Sequence, residues 1–162
     1  MTVTNAEALA RRIEQQGSFE LAMSAETAFP LFSAEGERLW VPHWNPTPIF
    51  PIDDVVRWQT NAVWTIVRDG ELLTWWTVEV DRKNLNASYV HFSTGRAVSV
   101  NVHVESLNTR ACRVHVGYII TATSPEGEHH VRDACNMEAR MIQWKSLIES
   151  ALPTGEVPNI RH

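Results

Sequence analysis

Three side chains of this 162-residue chain have the type and setting for proton transfer: His43, Tyr118 and Glu138. An imidazole, a phenol and a carboxylate act as general acids or bases when they reach a common substrate. His43 sits among Pro42, Pro46, Pro48 and Pro51, a stretch that reads as an extended loop. Tyr118 falls in a run of alternating apolar residues, where a buried hydroxyl needs a protein, water or ligand partner. Glu138 follows Met137 beside an apolar stripe. A carboxylate at the edge of an apolar cavity has a raised pKa; the plainer reading of Glu138 is an exposed helix residue. His91, His103 and His115, with Glu105, are metal-ligand types on neighbouring segments, and His129-His130 with Asp133 form a similar group. On a flat sheet face or a helix surface such groups lack enclosure, so solvated polar residues are the better reading. We expect no metal and no cofactor, since no Gly-rich phosphate loop, nucleophile elbow or HExxH pattern occurs.

The elements that position these residues follow from periodicity. Residues 12–24 alternate, with Ile13, Phe19, Leu21 and Met23 on one parity, and predict a strand. Ser24 caps a short helix that Pro30 limits to about two turns, and a second short helix is expected near Glu35–Trp40. From Val55 to Thr123 the chain reads as successive strands. Turn signals lie at Asp69-Gly70, Arg82–Asn86, Thr94-Gly95 and Ser106–Arg110. Ala134, Met137, Met141, Trp144, Ile148 and Ala151 form one apolar stripe, which predicts a single helix from about Gly127 to Leu152. Separate strand and helix runs give an α+β class with an antiparallel sheet. One domain is expected over 1–162, with a core at about 12–152 and a frayed tail at 153–162.

Hairpin geometry then assigns faces. A turn near Asn108 pairs Val98 with Tyr118 and Val100 with Val116. One at Thr94-Gly95 pairs Phe92 with Val98, and one at Asn84 pairs Trp76 with Phe92. Together they predict an inner face of Trp76, Val78, Val80, Val90, Phe92 and the alternating apolar residues of 98–104 and 112–120. Glu79, Tyr89, His91, Ser99, Asn101, His103, Glu105, Arg113 and His115 are then expected outside. Trp64 is open: a two-residue turn at Asp69-Gly70 sets it against Trp75 outside, and a longer turn sets it against Trp76 inside.

Composition narrows the function classes. The chain has seven Trp, 44% hydrophobic residues and a formal charge of −5. That is neither a disordered composition nor a cationic one, so nucleic-acid and anionic-membrane partners are not expected. Cys112 and Cys135 lack zinc spacing and read as small hydrophobes in a reducing compartment. Residues 1–17 are too polar for a signal peptide and no 18-residue apolar run occurs, so a cytoplasmic protein without membrane insertion is expected.

The segment from Phe29 to Pro46, FPLFSAEGERLWVPHWNP, resembles the opening of the START-like (SRPBCC) superfamily. The likeness is to a bacterial branch related to polyketide cyclase/dehydrase and lipid-transport proteins. Its pattern there is roughly FPLF-x-x-GE-x-x-W-x-P-x-W-x-P, with three residues, Ser33 to Glu35, between FPLF and GE in this chain and a small Gly usual where it has His43. Thr74–Val78 with Asp81 resembles its next strand, and Met141-Ile142-x-Trp144 its last helix; the matches span about Ile13 to Leu152. The resemblance implies a helix-grip fold: a curved seven-stranded antiparallel sheet around a long C-terminal helix, with two short helices after the first strand. It also implies a cavity between sheet and helix for a hydrophobic or amphipathic small molecule. His43, Trp44, Trp76, Phe92, Val100, Tyr118, Met137 and Met141 are the expected lining. Binding or transport of such a molecule is the first expectation. A cyclase/dehydratase-like enzyme using His43, Tyr118 or Glu138 is the second. An interaction module, with a second copy of the chain as one candidate partner, is the third.

Overall fold

The computed structural model describes residues 11–162. Strand β1 (Arg12–Leu21) leads into two short helices, α1 (Ala25–Ala28) and α2 (Ala34–Glu37), joined by a 3-10 turn at Phe29–Phe32. Their starts are set by local chemistry. Ser24 Oγ accepts from the Thr27 amide, and Ser33 Oγ accepts from the Gly36 amide at 2.9 Å, supplying acceptors that the first turn of a helix lacks. Pro30 occupies the first turn of the 3-10 segment, where its missing N–H costs nothing.

Six further strands form a meander: β2 (Thr47–Phe50), β3 (Val63–Arg68), β4 (Glu71–Asp81), β5 (Asn86–Ser93), β6 (Arg96–Asn108) and β7 (Ala111–Ala122). All pairs are antiparallel, and the seven-stranded sheet runs β1-β7-β6-β5-β4-β3-β2. After a 3-10 turn at Pro125–Gly127 come α3 (Glu128–Arg132) and α4 (Met137–Ala151). This is the α+β helix-grip arrangement that the order of elements implies.

The last helical segment is two helices, not the single one expected. Asn136 is the cause: its side chain accepts from the Ala139 amide at 3.1 Å and starts α4 afresh. The tail is ordered rather than frayed. Arg161 pairs with Asp54, the His162 carbonyl accepts from Arg57, and the His162 ring lies 4.9 Å from that of Trp58.

Strand faces differ from expectation at one place. Ser93 pairs with Arg96, so the β5–β6 connection has only two residues, Thr94 and Gly95. Gly95 takes φ +79°, a backbone region that L side chains rarely adopt. The expected pairing needed a three-residue connection. Losing one residue reverses the parity of β5 against β6, so Ala87, Tyr89 and His91 turn inward. Trp76 and Phe92 turn outward and are 46% and 48% exposed. The β6–β7 register also differs, with Val98 opposite Ile120 and Val100 opposite Tyr118. That shift is of two residues, so both strands keep their expected faces. Val78 is extruded by a bulge between Thr77 and Glu79 and is exposed, while Val80 rejoins the core.

The two-residue turn at Asp69-Gly70 does set Trp64 against Trp75, but on the inner face. The two indoles stack at 4.9 Å with planes 8° apart, and Trp64 is 2% exposed. Truncating this buried ring leaves a large cavity. Trp64→Ala is therefore expected to cost about 3–5 kcal/mol, and Trp76→Ser, on the outer face, at most about 1 kcal/mol. Denaturant unfolding of the two variants checks the inside-out assignment.

Candidate functional site

Helix α4 closes on the sheet unevenly. It packs hardest on β1, where a Cβ at Gly17 would stand 2.6 Å from Met141 Cγ. Met137 and Met141 are spent on this contact and are buried in the core. On the other side of the helix, away from β1, a cavity of about 750 Å³ opens toward β4–β7. Its sheet wall carries Trp75, Tyr89 and His91, then Val98, Val100 and Val102, then Tyr118 and Ile120. The helix wall carries Arg140, Gln143, Trp144 and Leu147, a row at helical spacing beside the Met137–Met141 stripe. At the rim lie His43, Trp44, Arg68 and the α3–α4 junction.

The predicted site residues therefore divide. His43, Trp44, Val100 and Tyr118 line the cavity. Met137 and Met141 pack behind it, Trp76 and Phe92 lie on the opposite face of the sheet, and Glu138 is exposed and outside the lining. His43 has φ +56°, a left-handed conformation that accounts for the Gly usual at this place in the resembled pattern. The outer histidine group loses a member, since His91 is inside. His103 and His115 remain outside with rings 5.9 Å apart, and His115 Nε2 lies 2.8 Å from Glu105. Among the described residues no cluster of three or more His, Cys, Asp or Glu is placed to hold a metal ion, and no helix is long and apolar enough to cross a membrane.

Residue types that sequence reasoning passed over supply much of the site's chemistry. Glu37, within the GE of the resembled pattern, faces the cavity from the end of α2. Burial pushes its carboxyl well above the usual carboxylate range, with the Arg68 guanidinium pulling the other way. No protein group among the described residues hydrogen-bonds it. Burial also pushes the Tyr118 and Tyr89 phenols up. The Tyr89 hydroxyl accepts from Trp58 Nε1 at 2.7 Å and donates to the Phe32 carbonyl at 2.9 Å. One phenol thus ties the sheet to the 3-10 turn and to the segment before β3. His91 lies against Trp75, ring centroids 4.4 Å apart. Burial, aided by the Arg96 charge, lowers its pKa from 6.5 to about 4, so it is neutral at physiological pH.

These features describe a helix-grip fold with an open pocket between sheet and terminal helix. Comparison with solved structures agrees. Norcoclaurine synthase from Thalictrum flavum, in complex with dopamine and hydroxybenzaldehyde, aligns with TM-score 0.60 and 13% identity over 93% of this chain and 95% of that one. The di-domain ARO/CYC BexL from the BE-7585A biosynthetic pathway aligns with TM-score 0.65 and 14% identity, covering 85% of this chain and 46% of that one. Ara h 8.0201 aligns with TM-score 0.62 and 11% identity over 88% and 99%. No family model and no curated protein matches the chain. Likeness at these identities establishes the fold.

Removing the Tyr89 hydroxyl orphans two buried groups, the Trp58 N–H and the Phe32 carbonyl. Tyr89→Phe is expected to lose about 1–3 kcal/mol in denaturant unfolding with the fold retained; an unchanged midpoint would show that the hydroxyl holds nothing. His91 gives a pH signature. Between pH about 4 and 6.5 the unfolded chain binds a proton that the folded chain refuses, so stability falls as pH is lowered through this window. His91→Phe should flatten that slope relative to the unaltered protein, measured as unfolding free energy against pH.

Proposed function

We propose that this protein binds a hydrophobic or amphipathic small molecule in the cavity between the sheet and α4. The observation that carries the reading is the cavity itself. Its volume of about 750 Å³ lies in the range of small-molecule pockets, and its lining combines the valines of β6 with polar and charged side chains, which suits an amphipathic molecule. The hydrophobic effect supplies affinity there without requiring strict geometry, which suits a carrier as well as a receptor. Its similarity in fold to norcoclaurine synthase, solved with small aromatic compounds, and to an aromatase/cyclase supports a ring-bearing ligand.

One observation favours a second reading, an enzyme of the cyclase/dehydratase kind. Glu37, Tyr118 and His91 open on one cavity from three different elements. A carboxyl whose pKa is raised by burial is suited to donate a proton, and a neutral imidazole to accept one. Of the three residues first considered for this role only His43 and Tyr118 line the cavity; Glu37 takes the place given to Glu138. The same cavity would then hold a substrate in a folded geometry while these groups move protons.

The binding reading is tested with 2-naphthol, followed by quenching of the cavity tryptophans. Val100→Trp fills the floor and should weaken binding at least about tenfold, while Glu138→Gln, on the outside of α4, should leave it unchanged. Equal affinity in the Val100→Trp variant would place the ligand elsewhere.

A further inference from the structure

The arginines around the cavity differ in what they already hold. Arg68 Nη1 donates to the Pro42 carbonyl at 2.8 Å and its guanidinium lies over the Trp44 ring. Arg96 pairs with Glu71 at 3.2 Å and contacts His130. Arg140 has no carboxylate partner among the described residues. Its guanidinium lies over the Tyr118 ring, Cζ 4.6 Å from the centroid, within reach of the Tyr118 hydroxyl, with the rest of the side chain on the cavity wall. A guanidinium presents five donors in a planar fork that matches a carboxylate, and stacking on an aromatic face holds that fork in place before a ligand arrives.

Two more polar groups open on the same cavity: the Tyr118 hydroxyl, which lies beside Arg140, and the Glu37 carboxyl, which has no hydrogen bond to a protein group among the described residues. Glu37 is not the missing partner of Arg140. Burial raises its pKa well above the usual carboxylate range and so favours the protonated form, and the cation that opposes this is Arg68 on β3, not Arg140 on α4. In that state Glu37 is a hydrogen-bond donor, as is Tyr118. The cavity therefore combines guanidinium groups without an ion-pair partner among the described residues, Arg140 on the helix wall and Arg68 at the rim, with two O–H groups and an apolar floor of Val98, Val100 and Val102.

We propose that the ligand of this cavity is a carboxylic acid bound as its anion, with the carboxylate held by the Arg140 fork and the O–H groups of Tyr118 and Glu37 and the apolar body lying on the valines of β6. This rests on the binding reading and names its ligand class. It brings a pH dependence with it. The groups that act electrostatically on Glu37, or feel it, are Arg68 from β3, Tyr89 from β5 and Tyr118 from β7, and His43, His91 and Arg140 line the same cavity. As pH rises and Glu37 ionises, a donor becomes a negative charge beside the bound carboxylate, and affinity falls.

The test compares 2-naphthoate with its neutral isostere 2-naphthamide by isothermal titration at a series of pH values from about 5 to about 10. At the low end of the series the unaltered protein should prefer the carboxylate by about tenfold or more, and the preference should shrink as pH rises. Arg140→Gln should abolish the preference while the amide still binds. Glu37→Gln donates an N–H at every pH and should remove that fall. Equal affinities for the two compounds in the unaltered protein, or a preference that survives Arg140→Gln, overturn the proposal. The measurement on the unaltered protein decides it even where a variant fails to fold. Binding of the amide with no gain for the carboxylate overturns the ligand class alone; binding of neither compound overturns the cavity reading and the ligand class together.

Discussion

The site depends on the two-residue connection between β5 and β6. Thr94 and Gly95 leave room for no third residue, and Gly95 alone takes the positive φ that so tight a turn demands. Side chains on a strand alternate faces, so the length of this turn decides which half of β5 sees the core, and β5 in turn decides for β4 and β3. With two residues, Tyr89 and His91 face inward, Trp75 follows them and Trp64 stacks behind. A three-residue turn would put Val90, Phe92 and Trp76 inside, and the cavity would lose its imidazole and its tethering phenol. A local backbone preference worth little by itself is thereby enforced by every burial along three strands.

A second constraint places the cavity on one side of the helix. Gly17 removes a side chain from β1, and Met141 takes the space. The helix can then approach the β1–β7 edge closely while its other flank stands off from β4–β6. The gap is kept open by rigid material. Trp75 is stacked on Trp64 on one side and His91 on the other, Trp44 meets both indoles edge-on, and Trp144 stacks on Phe32. Large rings with few rotatable bonds support each other and so resist collapsing into the void, which smaller and more flexible side chains would fill.

Much of this was legible in the amino-acid order. The α+β class, the meander and the terminal helix follow from periodicity, and the faces of β6 and β7 survive a register shift because the shift is even. What failed did so for physical reasons. Hairpin geometry put Trp76 and Phe92 inside because its register gave the β5–β6 connection three residues where the chain uses two, and the dipeptide Thr94-Gly95 does not by itself fix that count. Met137 and Met141 do lie on the buried stripe of the helix, but that stripe meets β1; the cavity is met by the row from Arg140 to Leu147, whose two polar members hide it from any apolar pattern. Glu37 stood within the segment that carries the family resemblance, yet nothing in its neighbours in sequence announces that β3, β5, β7 and α4 converge on it. A carboxyl's protonation state is set by what surrounds it in space.

The cavity's polar groups also bear on stability. A guanidinium without an ion-pair partner, a carboxyl of raised pKa and a buried phenol facing the open cavity between sheet and helix are each less well solvated than in the unfolded chain. A sequence selected for stability alone would fill this space with aliphatic side chains. Here burial raises the Glu37 pKa and lowers that of His91, each disfavouring the charged form, and Arg140 lies over Tyr118 instead of being released to water. These three groups meet at one cavity, as expected where a molecule other than water completes the packing. A ligand that satisfies these groups and fills the volume binds the folded chain and not the unfolded one, so the energy withheld from folding is recovered on binding. The same arrangement that leaves the empty protein less stable than it could be makes its affinity selective, because an apolar molecule without matching polar atoms fills the space but leaves the arginine and the two hydroxyls unpaired.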